Sequence, residues 1–98
     1  MSTQDRQAAQ SRTQDLISLI ATLPPHEHLS QLKEQAEALH SAIGAFHLEG
    51  IRFRIYNVDR MVSKSPVALP PEAARIVADV RNHLEAAGFH TRSHQAPS

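Results

Sequence analysis

The sequence predicts an all-α domain: an antiparallel three-helix bundle whose long central helix is bent or broken part-way. Three observations predict it. Apolar residues recur at steps of three and four along most of the chain. The prolines of the two Leu-Pro-Pro segments stand where helices start, not inside them. One stretch reads as a strand, and it has no second strand to pair with.

Residues 1–10 carry little apolar content beyond Met1, Ala8 and Ala9, and are expected to be a flexible segment or a frayed helix start. Ser11 and Gln14 have capping-box spacing, and Leu16, Ile17, Ile20 and Leu23 form a helical face after them. The first helix is therefore expected within 4–22. Leu23–Pro25 and Leu69–Pro71 are each followed by an acidic residue and a new apolar stripe. Proline lacks the backbone donor that a first helical turn does not use, and an acidic side chain there suits the helix dipole.

The second helix is expected to start near Pro25 or His26. Leu29, Leu32, Ala36, Leu39, Ile43 and Phe46 then run in steps of three and four. Past Gly50 the stripe continues as Ile51, Ile55, Val58 and Val62, but out of phase. At about 100° per residue, it lies roughly 100° round from the first. The helix must bend, break or over-twist between Gly44 and Gly50, or a partner must cover the displaced face. The competing strand reading rests on the alternation of Ile51, Phe53 and Ile55 with Arg52, Arg54 and Tyr56. A connector, residues 63–69, leads to a helix opening at Pro71, with Ala73, Ile76, Val77, Val80, Leu84 and Ala87 on one face. Gly88 is placed as its C-terminal cap, with Phe89 closing over Leu84. Residues 11–89 thus form one helical domain, and 90–98 a flexible tail.

Composition removes several function classes. Ten Lys and Arg balance ten Asp and Glu, so the chain lacks the strong basic charge of a general nucleic-acid binder. Near-zero net charge also gives little protection against self-association. The absence of cysteine excludes disulfides, thiol catalysis and cysteine-ligated zinc. No apolar run is long enough to span a bilayer, and the polar start lacks a secretory signal's apolar core, so a cytoplasmic location is expected. No nucleophile motif or phosphate-binding glycine loop is present, so no catalytic residue and no cofactor are expected.

Three constellations remain. Arg52, Tyr56 and Arg60 share a helix face at steps of four, with Arg54 and Lys64 nearby, and suit an anion or an acidic partner. Seven histidines raise the alternative of a metal or pH sensor. Yet His26 with His28, and His40 with His47, are poorly spaced for one ion, while the better-spaced His90 and His94 fall in the tail; no metal site is expected. Third, His40 is followed by Gly44 and Gly50. This resembles the pattern around the phosphorylated histidine of histidine phosphotransfer domains, which are four-helix bundles. The resemblance covers only these eleven residues. It implies that His40 carries phosphate on an exposed face beside an open glycine flank. The family's lysine before the first glycine is Ile43 here, and where the family has small residues after that glycine this chain has the bulky Phe46.

The favoured expectation is a non-enzymatic interaction or regulatory module. A chain of this size buries little surface, so leftover apolar area is expected to meet a second copy, giving a homodimer, or another helical protein. Ile51, Ile55, Val58 and Val62 are the expected partner-binding residues.

Overall fold

The computed structural model describes residues 3–89 and is all-helical over that range. It has four helices: α1 (Thr3–Ala21), α2 (Glu27–Gly44), α3 (Leu48–Ser63) and α4 (Pro71–Ala86). The all-α class is as expected, but the central helix is two helices. Each helix packs on its chain neighbours, and α4 closes the ring against α1. Neighbours run antiparallel. Arg6 and Gln10 near the start of α1 meet the end of α2, while His28 and Gln35 of α2 meet Met61 and Arg54 of α3.

α1 starts well before the expected cap at Ser11. Residues 3–10, expected to be a flexible segment or a frayed helix start, form its first two turns, so α1 matches the expected 4–22 window to within a residue at each end. Their Gln, Arg and Ala residues are good helix formers, and fully buried Ala9 faces the core. Arg6 Nη1 donates to the carbonyls of Ile43 and Gly44 at 3.2 and 3.3 Å, and Gln10 Nε2 to that of His40 at 3.2 Å. The Ile43 and Gly44 carbonyls lie in the last turn of α2 and the His40 carbonyl just before it, so a polar N-terminal segment serves as a cap. Thr13, also buried, satisfies its hydroxyl on the carbonyl of Ala9. Further along, Arg12 reaches both Asp15 (2.9 Å) and Asp79 of α4 (3.0 Å). The hydrogen bond that Arg12 donates to Asp15, and then the one it donates to Asp79, raise the Arg12 pKa above its ordinary value.

The break between α2 and α3 falls at Ala45–His47, inside the expected window. Phe46 N–H donates to Ile43 and His47 N–H to Ala42, the pair of bonds that ends a helix with a left-handed residue. That residue is Phe46, at φ 60°. A bulky side chain there costs about 1–2 kcal/mol. Its ring compensates by meeting Phe89 edge-on at 5.4 Å and lying under the Arg6 guanidinium at 5.5 Å. α4 ends by the same two bonds with the expected glycine. Gly88 (φ 100°) donates to Glu85, and Phe89 to Leu84, with the Phe89 ring buried.

Two histidines start helices. His26 Nδ1 accepts from His28 N–H at 3.0 Å, and His47 Nδ1 from Gly50 N–H at 2.9 Å. A Cβ on Gly50 would lie 2.6 Å from His47 Nδ1, so glycine leaves room for that ring. His47→Ala is expected to lower stability by about 1 kcal/mol. His47→Asp should recover most of it, since aspartate caps well and suits the dipole. Urea unfolding of the three proteins checks this.

Candidate functional site

Residues 51–58 are helical, so the strand reading does not hold. α3 is where sequence and structure differ most in consequence. Ile51, Ile55 and Val58, expected to face a partner, are buried in the chain's own core, and Val62 is half-buried against it. The reason is direction. After the turn at Ala45–His47, α3 runs back along α2, and its shifted stripe points inward.

The opposite face of α3 carries a second stripe. Glu49, Phe53, Tyr56 and Arg60 repeat the 4-3-4 spacing of Ile51, Ile55, Val58 and Val62, displaced by two residues. Two residues are about 200° on a helix, so this stripe points away from the core. Phe53 lies at its middle and is 57% exposed. Leu48 (51%) and Phe46 (43%) are the other large exposed apolar residues among those described. All three lie close together in the chain, within or just before α3.

Phe53 is held in place. The Arg54 guanidinium sits 5.0 Å from its ring centroid, and Arg54 Nη1 donates to Gln35 Oε1 of α2 at 3.0 Å. The ring is thus braced by a cation that is itself anchored. Glu49, Arg52, Phe53 and Tyr56 line a shallow groove of about 240 Å³. A second groove continues from Tyr56 along Asp59, Arg60, Ser63 and Lys64.

The three residues expected to contact an anion or acidic partner do line this strip. Arg52 Nη1 pairs with Glu49 at 3.3 Å, and Arg60 Nη1 donates to the Tyr56 hydroxyl at 3.4 Å. Both contacts lie at the surface, where such pairs contribute at most about 1 kcal/mol. They can therefore exchange for intermolecular partners at small cost. Phe53 was legible in the sequence only as a member of an alternating stretch. The signal that finds it is the offset between the two stripes.

His40 is half-buried. A Cβ placed on Gly44 would lie 2.6 Å from Gln10 Nε2. So α1 covers one side of the glycine flank that the phosphotransfer resemblance implies to be open. Among the described residues, no three His, Asp or Glu side chains cluster to hold a metal ion. Four histidines have other contacts: His26 and His47 cap helices, His28 Nε2 lies 3.0 Å from the Met61 carbonyl, and His83 is 3.8 Å from Asp5. His90, His94 and the expected tail lie outside the described residues. No described helix is long and apolar enough to cross a membrane. No family model, curated protein or solved structure matches the chain.

Proposed function

We propose that the protein is a small non-enzymatic interaction module that binds another helical protein surface through the outward face of α3. One observation carries this reading: a braced phenylalanine, more than half exposed, centred on the face opposite the core. Exposing such a ring forgoes the burial that stabilises a small domain. A fixed ring also loses little conformational freedom on binding, which favours its use as an anchor. Flanking Arg52 and Arg60 set orientation and exclude wrongly charged partners.

Self-association is the first test, because it needs no other protein. Molar mass is measured by sedimentation over a wide concentration range for the wild type and Phe53→Ser. The wild type is expected to gain mass with concentration. Phe53→Ser should weaken that association by about ten-fold or more, as a central aromatic anchor does, while its melting curve stays close to wild type. Equal association in the two proteins would remove Phe53 from the contact and overturn the reading.

A further inference from the structure

We propose that the partner is a second copy of this chain, docked two-fold and antiparallel, α3 on α3, so that Phe53 of one copy packs against Tyr56 of the other and Glu49 meets Arg60. The inference rests on the reading above and specifies its geometry. A two-fold contact requires one patch that complements itself when reversed. The α3 stripe meets that requirement. It reads acidic, aromatic, aromatic, basic from Glu49 to Arg60, and reversal places each residue opposite its complement. Residues 49 and 60, and 53 and 56, share one midpoint, so a single register aligns both pairs.

The spacing fits as well. Steps of four, three and four are those of a helix–helix seam, with aromatics central and charges at the ends. Glu49 and Arg60 are both exposed, and their intrachain contacts are surface pairs that can be exchanged. The near-zero net charge puts no long-range repulsion between copies. The contact is small. A sixteen-residue helix gives a strip about 24 Å long and ~10 Å wide, well under the ~800 Å² per partner of standard stable interfaces. The dimer is therefore weak, and its test needs concentrations from about 10 μM to 1 mM.

Charge reversal with mixing tests the register. In Glu49→Arg alone, the introduced guanidinium would face Arg60 of the other copy, twice across the two-fold axis. In Arg60→Glu alone, two glutamates would face each other twice. Each variant by itself is expected to associate about ten-fold more weakly than the wild type, since like charges placed opposite one another are costly. In an equimolar mixture, a mixed dimer pairs the arginine introduced at position 49 of one variant with the glutamate introduced at position 60 of the other, and the remaining Arg60 with the remaining Glu49, so both contacts are of opposite charge and wild-type association is expected to return. Circular dichroism confirms that both variants are folded. Phe53-dependent association without recovery in the mixture overturns the antiparallel pairing but leaves α3 as the binding surface. A wild type that stays monomeric throughout overturns the second copy as partner and leaves only a different helical protein as the occupant of α3.

Discussion

Replacing Ile55 by alanine is expected to lower the unfolding free energy by about 2–5 kcal/mol, the range for deleting a buried aliphatic side chain. Ile55 is fully buried, between Ile51 and Val58 on the inward stripe of α3. Alanine removes three methyl or methylene groups there, and helices fixed by α1–α4 and α2–α3 packing can close the void only in part. Domains of this size are stable by roughly 5–15 kcal/mol, so the substitution removes a large share of the total. At about 4–8 °C per kcal/mol for a domain under 100 residues, the melting temperature falls by roughly 10 °C or more. The comparison is Phe53→Ser, two residues away and facing out, where a change within about 0.5 kcal/mol is expected. Both are measured by thermal and urea unfolding at low concentration. If Ile55→Ala were as mild as Phe53→Ser there, the inward stripe would not be core, and the placement of α3 would fail with it.

That contrast marks how far the sequence could be read. Spacing gives the phase of a stripe along a helix. It does not give the direction the helix takes after a turn. The shift between Ile43 and Ile51 was legible, and so was the need for a break between Gly44 and Gly50. The sharp reversal was not, because its left-handed residue is Phe46, not the glycine or asparagine that usually marks such a position. With α3 taken as an extension of α2, Ile51, Ile55 and Val58 point outward; with α3 folded back, they complete the core. Both proline-led helix starts and the Gly88–Phe89 ending were legible because their cause is local: a missing donor, a positive φ.

Polar roles were harder to see. The first turns of α1 lack an apolar stripe and read as a tail or a frayed helix start, yet Arg6 and Gln10 close the end of α2 by bonds spanning thirty or more residues. Histidine is not among the preferred N-cap residues, so the capping roles of His26 and His47 had no sequence signal. Of the candidate site, the cationic residues were found from their one-turn spacing. Phe53 was obscured by the alternating pattern around it.

The second large effect concerns the seam between α3 and α4, the least extensive of the helix pairings. Arg81 is buried there, its side chain 6% exposed, and it donates to Asp59 Oδ2 from Nε at 3.2 Å and from Nη2 at 2.6 Å. Asp59 is 40% exposed. The two partners are thus unequally desolvated, and their substitutions should be unequal too. Asp59→Ala leaves a buried guanidinium without its carboxylate, which in buried pairs costs about 3–5 kcal/mol. Arg81 has a further interaction besides those to Asp59, so the lower end, about 3 kcal/mol, is expected. Arg81→Met keeps an apolar stem on the buried face of α4 and leaves Asp59 facing water, so a loss of about 1 kcal/mol is expected. The double variant should be more stable than Asp59→Ala alone, because no buried cation remains. Urea unfolding of the four proteins as a double-mutant cycle measures the coupling directly. Equal losses for the two single variants would mean that water reaches Arg81 as readily as Asp59, contrary to the packing of this seam.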